Sequence, residues 1–116
     1  MSNLTNLRVY QTARQPCTAA YRLAATIPGD PSLRDQIRRA ATSVVSNIAE
    51  GRGRSTDADF ARFLDIARGS VTELVAQLQI AADLGLIDAQ QVGVVSDDLD
   101  RVGRQITCLI RRLRAG

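Results

Sequence analysis

Histidine, lysine and tryptophan are all missing from this chain of 116 residues, and tyrosine and phenylalanine contribute only two residues each. The lack of histidine removes the side chain that most often acts as a general acid or base, and with it the common ways of activating a serine or cysteine nucleophile. The scarcity of aromatic side chains argues against reading single-stranded nucleic acid by base stacking. An enzyme is therefore the least expected class of function.

Cysteine is also scarce, since Cys17 and Cys108 lie far apart and form no CxxC pair. With no histidine to complete a ligand set, we expect no metal site and no cofactor, and both thiols should be free in a reducing cytoplasm. No run of residues approaches the roughly 18 consecutive apolar residues of a membrane span, and residues 1–6 do not resemble a signal peptide. These absences predict a cytoplasmic protein that does not cross a membrane.

Small aliphatic residues dominate the 45% hydrophobic content, which favours helices that pack closely around one core. The length fits a single domain covering residues 1–116. All 15 basic residues are arginines, and the net charge is +3. Arginine binds phosphate and carboxylate in a bidentate manner, so this content is compatible with an anionic partner such as RNA. The codon usage of a GC-rich genome also explains the arginines, and we favour this explanation because the Ala, Val, Asp and Gly content fits it too.

Hydrophobic periodicity and capping signals predict four helices. Asp30 and Pro31 form a strong helix start, Ser55 or Thr56 can cap a third helix, and Asp88 opens a fourth. The predicted spans are 5–26, 31–50, 57–85 and 88 to the tail. The first helix should kink or start late at Pro16, and the second should be stopped by Gly51 and Gly53. Because the three connections are short, the predicted fold is all-α, an antiparallel up-down-up-down four-helix bundle.

The predicted apolar stripe of each helix defines the expected core. In the first helix this stripe is Leu7, Tyr10, Cys17, Tyr21 and Ala24. The third helix has more apolar surface than one bundle uses, because Ile66, Ile80 and Leu84 widen its apolar arc. Either the fourth helix covers these three residues or another subunit does, and we favour an oligomer interface.

A line of polar residues follows one edge of the second helix, beside its apolar stripe. If the second and third helices pack antiparallel about a turn at residues 51–54, Gln36 lies level with Ser70, and Arg39 can pair with Glu73. Glu50 can accept hydrogen bonds from the start of the third helix or from a nearby arginine. We interpret the set as a structural polar network that fixes helix register, in preference to a ligand site. Its members are Gln36, Arg39, Ser43, Asn47, Glu50, Ser70 and Glu73.

Arginine clusters give the sharpest functional hypothesis. Two of the arginines flank glycines in the predicted turn, and the other four lie on the outer face or at the end of the fourth helix. Such clusters would contact the phosphates of structured RNA or of a duplex. The alternative is a solvated arginine surface on a protein–protein interaction scaffold with no nucleic-acid role. The candidate RNA-binding residues are Arg52, Arg54, Arg101, Arg104, Arg111 and Arg112.

A family resemblance rests on residues between about 7 and 87. The most specific positions are the runs 36–41 (QIRRAA) and 47–51 (NIAEG), together with Ser43, Phe60, 63–64 (FL), 66–67 (IA), 69–70 (GS) and 73–74 (EL). In these the chain resembles the four-helix-bundle family of 23S rRNA intervening-sequence proteins, whose wider relatives include the accessory variability proteins of diversity-generating retroelements. The resemblance implies a homopentamer with no established enzyme activity.

The retroelement relatives are strongly basic adaptors that bind RNA and a reverse transcriptase, and this chain departs from them in its modest charge and its lack of lysine. Taken together, residues and resemblance predict a pentameric scaffold or adaptor without enzyme activity. Its expected partners are other copies of itself and either structured RNA or a nucleic-acid enzyme.

Overall fold

The computed structural model describes residues 7–116, and within them the backbone forms four α-helices. These are α1 (Arg8–Ala25), α2 (Pro31–Arg52), α3 (Asp57–Asp83) and α4 (Ala89–Ala115). Each helix packs on the two that neighbour it in a ring, α1 on α2, α2 on α3, α3 on α4 and α4 on α1. The bundle measures 46 × 21 × 20 Å. The predicted all-α four-helix bundle is confirmed.

Side-chain caps fix three of the helix starts, as the sequence predicted. The Asp30 carboxylate accepts a hydrogen bond from the Leu33 N–H at 3.0 Å, with Pro31 in the first helical position. Thr56, the second of the two candidate caps, accepts from the Asp59 N–H at 3.1 Å. The Asp88 carboxylate accepts from the Gln90 N–H at 2.7 Å. These caps satisfy amide donors that have no partner within their own helix.

Two predictions about helix boundaries are wrong. Helix α1 does not begin at Pro16, the late start considered for it, but is already helical from Arg8, while the predicted start at Thr5 lies outside the described residues. Helix α2 continues through Gly51 to Arg52, and Gly53 forms its C-cap by donating its N–H to the carbonyls of Ala49 and Glu50. Gly51 is therefore part of the helix and does not end it.

Gly51 instead allows α2 and α3 to approach closely. A Cβ atom at this position would lie 2.9 Å from Cδ1 of Phe60 and 2.9 Å from Cβ of Phe63. Real Cβ atoms essentially never come that close to another heavy atom. The absence of a side chain at Gly51 is thus a packing requirement of the α2–α3 pair.

The core differs from the stripe predicted for α1. Tyr21 is 45% exposed, and its ring contacts the Arg38 guanidinium at 5.0 Å from the ring centroid. Small side chains fill the α1 face of the core instead, because they let this helix approach its neighbours closely. The buried residues of α1 are Val9, Ala13, Pro16, Cys17, Ala20 and Ala24.

Candidate nucleic-acid interface

The outer face of α4 carries the arginine series predicted from the sequence. Arg101, Arg104 and Arg111 are separated by three and seven residues, so they project from the same side of the helix. The helix lies between two surface grooves, one shared with α1 and one shared with α3. Both grooves are lined by Arg104, Cys108 and Arg111.

The α1/α4 groove is strongly basic. It has a volume of about 500 Å³, and no acidic residue lines it. Arg8, in the first turn of α1, comes beside the end of α4 because the two helices are antiparallel. Sequence reasoning missed this residue, although the predicted topology would have placed it here. The arginines lining the groove are Arg8, Arg101, Arg104, Arg111 and Arg112.

The α3/α4 groove is larger and less basic, with a volume of about 620 Å³. Its α3 wall contributes Arg68, whose guanidinium donates to Asp65 at 2.7 Å and to Thr107 of α4 at 3.3 Å. Asp100 is the one acidic residue in its lining. Sequence reasoning also missed Arg68 as a candidate.

Ion pairs separate the arginines that are free to bind an anion from those that are not. Arg101 pairs with Asp98 at 3.1 Å, and Arg114 pairs with Asp65. Within residues 7–116, the remaining arginines of the α1/α4 groove have no carboxylate partner. These are Arg8, Arg104, Arg111 and Arg112. An exposed and unpaired guanidinium loses less on binding a phosphate than one that must first leave a carboxylate.

The turn arginines of the prediction are mostly committed to the protein itself. Arg54 donates to Asp59 at 2.8 Å and to Glu50 at 3.4 Å, and its guanidinium lies 4.9 Å from the centroid of the Phe63 ring. The hydrogen bond from Arg54, together with that from Arg62, lowers the pKa of Asp59. Arg52 is partly buried. The structure therefore places Arg54 in a local charge cluster, with two carboxylates compensating its charge.

Charge is distributed unevenly along the bundle. When each helix is divided at its midpoint, the half that contains the α2–α3 turn holds ten arginines and four acidic residues. The opposite half holds five arginines and eight acidic residues. Although the net charge is only +3, the end of the bundle that contains the α2–α3 turn is basic, and both α4 grooves lie at this end.

The predicted polar network is brought together only in part. The hydroxyls of Ser43 and Ser70 lie 2.8 Å apart, and the Asn47 amide donates to the Ser43 hydroxyl at 3.0 Å and to its carbonyl at 2.8 Å. Glu50 accepts from Arg54, one of the donors proposed for it. This group links α2 to α3 near the middle of the bundle.

The predicted register of α2 against α3 is wrong by seven residues. Ser43, and not Gln36, lies level with Ser70, since their hydroxyl oxygens are 2.8 Å apart. Gln36 instead contacts Ser32 at 3.4 Å. Arg39 and Glu73 are both exposed, and among the ion pairs of residues 7–116 the predicted pair of these two does not occur.

The three residues predicted to form surplus apolar surface remain uncovered. Ile66, Ile80 and Leu84 are 44%, 51% and 62% exposed, so α4 does not pack over them. Gly69 and Ala76 are exposed on the same side of α3. This α3 face, defined by these five residues, is apolar apart from Glu73.

The two cysteines should differ sharply in reactivity. Burial raises the pKa of Cys17 to about 12, whereas Cys108 is exposed and lines both α4 grooves. A thiol reagent applied to the native protein should therefore modify Cys108 and leave Cys17 intact, as mass spectrometry of the modified chain would show. Modification of both thiols at the same rate would contradict the core packing.

The same burial makes stability depend on pH in the alkaline range. Because the folded state keeps the Cys17 proton up to about pH 12 and the unfolded chain releases it near pH 9, the Cys17 contribution to stability falls as pH rises through this window. Cys17→Ala should remove this component of the pH dependence.

Two kinds of site do not occur in the described part of the chain. No group of three or more Cys, Asp or Glu residues is arranged to hold a metal ion. No helix between residues 7 and 116 combines the length and the apolar character needed to cross a bilayer.

The fold and surface define an all-α four-helix bundle with an arginine-lined face. The chain belongs to the 23S rRNA-intervening sequence protein family, whose model matches residues 5–108. No curated protein matches the chain in sequence. A crystal structure of a protein of unknown function from the S23 ribosomal protein family of Bacteroides thetaiotaomicron is similar, with a TM-score of 0.81. The match covers 88% of this chain and 97% of that one at 21% identity, which supports the fold.

Proposed function

We propose that this protein is a homo-oligomeric scaffold without enzyme activity that binds the phosphate backbone of structured RNA. The observation that carries the proposal is the α1/α4 groove, where five arginines meet and no acidic residue lines the surface. Four of these guanidiniums have no carboxylate partner within residues 7–116, and they form the proposed contact set: Arg8, Arg104, Arg111 and Arg112.

Binding of the RNA phosphate backbone suits this surface better than recognition of the bases. Guanidinium groups match phosphate oxygens in bidentate geometry, and each neutralised phosphate releases counterions. No aromatic residue lines either α4 groove, so stacking on unpaired bases has no platform there. The expected complex is therefore sensitive to salt and tolerant of sequence.

Binding of a labelled RNA stem-loop at several salt concentrations tests the proposal. The logarithm of the association constant should fall linearly with the logarithm of salt concentration. Arg104→Ala and Arg111→Ala should each reduce the slope by about one for every subunit in contact with the RNA. Arg22→Ala, an exposed arginine at the far end of α1, is the matched control and should leave the slope unchanged.

A protein-binding scaffold gives a different result in the same experiment. Such a scaffold would not retain the stem-loop even at low ionic strength, and its arginines would be solvated surface. That outcome would replace the RNA-binding proposal with the alternative of a protein–protein interaction scaffold.

The oligomer we propose is the homopentamer that the family resemblance implies, with the α3 face as one of its contact surfaces. Three large apolar side chains are exposed there, and Gly69 and Ala76 permit a close approach of another helix. A ring with an odd number of subunits requires a heterologous contact, in which this face meets a different surface of the next copy. The α3 face lies on the α2–α3 side of the bundle, opposite the α1/α4 groove, so this half of the contact does not cover that groove.

Ile80→Asp should dissociate the assembly into smaller species while the chain stays helical. An unpaired carboxylate at a close-packed contact costs several kcal/mol to desolvate, whereas in the monomer Ile80 is 51% exposed. Light scattering gives the mass, to be compared with the 12.6 kDa of one chain. Gln79→Asp adds the same charge one position away and should leave the mass unchanged. A wild-type mass equal to one chain would reject the assembly.

A further inference from the structure

Helix α4 forms a ridge between two basic grooves. Arg104 and Arg111 lie on the ridge and line both grooves, and each groove has a further arginine on its far wall. That residue is Arg8 in the α1/α4 groove and Arg68 in the α3/α4 groove. Because a helix with its side chains is about 10–12 Å across, the two grooves are separated by about that distance.

This spacing distinguishes a double helix from a single strand. A single strand lying in one groove would leave the arginine of the other groove unused. A duplex presents two phosphate strands on either side of a groove of base edges, and a helix that enters this groove has one strand on each flank. We propose that the ligand of this face is double-stranded RNA, with α4 straddling its shallow minor groove; this inference rests on the proposed RNA-binding function.

The position of α4 within the bundle favours the A-form over the B-form. Helices α1 and α3 pack along both sides of α4, so the ridge cannot penetrate far between two strands. The major groove of B-DNA is about 8.5 Å deep, and the major groove of A-form RNA is deep and too narrow for side chains. The minor groove of A-form RNA is wide and shallow and displays ribose 2′-hydroxyl groups.

Gln105 lines the α1/α4 groove among the arginines, but its side-chain carbonyl oxygen is buried and a ligand in the groove does not reach it, so Gln105 is not counted among the proposed contacts. Asp100, in the lining of the α3/α4 groove, marks the limit of the basic surface toward the start of α4.

Fluorescence anisotropy with three labelled nucleic acids tests the inference on the full-length oligomer. The probes are an RNA duplex of about 20 base pairs, the DNA duplex of the same sequence and one RNA strand alone. We expect the RNA duplex to bind about tenfold more tightly than either of the others. Arg8→Ala and Arg68→Ala should each weaken duplex binding about tenfold, and Arg22→Ala should leave it unchanged.

Arg68→Ala also removes the contacts of Arg68 with Asp65 and Thr107, so a second variant that keeps these contacts is needed. Thr72→Glu places a carboxylate in the α3/α4 groove without removing an arginine, and it too should weaken duplex binding. If Arg8→Ala weakens binding while Arg68→Ala and Thr72→Glu do not, only one groove is used and the straddled duplex is rejected, although RNA binding stands. Equal affinity for the DNA duplex rejects the A-form preference. Failure to bind any structured RNA rejects both this inference and the proposed function.

Discussion

Gly51→Ala should lower the free energy of unfolding by about 1 to 3 kcal/mol, although alanine is the better helix former. The added Cβ would lie 2.9 Å from Cβ of Phe63 and 3.2 Å from the backbone carbonyl oxygen of Phe60. Neither atom is the free end of a flexible side chain, so α2 and α3 must move apart to accommodate the methyl group. Separation of these helices also strains the Ser43–Ser70 hydrogen bond.

Gly93→Ala is the matched control for this prediction. Gly93 also lies inside a helix, but nothing comes within 4 Å of a Cβ built there. The control should be neutral or should stabilise the protein by up to about 1 kcal/mol, through helix propensity alone. Chemical denaturation at one fixed protein concentration measures both variants, because the stability of the proposed oligomer would depend on concentration. If Gly51→Ala unfolds like Gly93→Ala, the close approach of α2 and α3 is not required.

Local sequence signals were sufficient to predict the fold class. Asp30, Thr56 and Asp88 cap helices through hydrogen bonds with residues two or three positions away, so their role is visible in a short window of sequence. The apolar periodicity of α2, α3 and α4 likewise depends only on helix geometry. Short connections between capped helices then leave the antiparallel bundle as the natural arrangement.

Helix register was not predictable from the same signals, and Gly51 shows why. A glycine after a helical pattern can end the helix or allow another helix to approach, and the two cases look identical in a single sequence. Reading Gly51 as a stop shortens α2 by two residues, which accounts for only part of the seven-residue difference in register. The rest depends on how the turn and the facing side chains pack, which no local signal encodes. The register error does not explain the missing Arg39–Glu73 pair, because the observed register places Arg39 level with Leu74.

Only the part of the candidate site that lies on one helix was predicted from the sequence. Arg104 and Arg111 belong to one helix, so their common face follows from their spacing. Arg8 and Arg68 reach the same surface from other helices, and only the packing of the bundle brings them there. The pairing of Arg54 with Asp59 crosses the α2–α3 turn, and only the folded turn brings these two side chains together.

The charge-reversed variant Arg104→Glu with Arg111→Glu should lose at least about 100-fold in affinity for structured RNA, the largest effect we expect on binding. The reason is local, because the two residues line both α4 grooves and have no carboxylate partner within residues 7–116. Two arginines outside the basic end provide a variant with the same change in net charge, Arg22→Glu with Arg39→Glu. Light scattering and circular dichroism should first establish that both variants keep the wild-type mass and helicity.

Binding of wild type and the two variants to one RNA stem-loop, at one low salt concentration, is then the most direct test of the central claim. The proposal that α4 and its flanking grooves form the RNA-binding surface predicts that the Arg104/Arg111 variant fails to bind. It also predicts that the Arg22/Arg39 variant stays within a few-fold of wild type. An equal loss in both variants, or no loss in the first, would contradict the claim and leave the arginines of α4 as solvated surface.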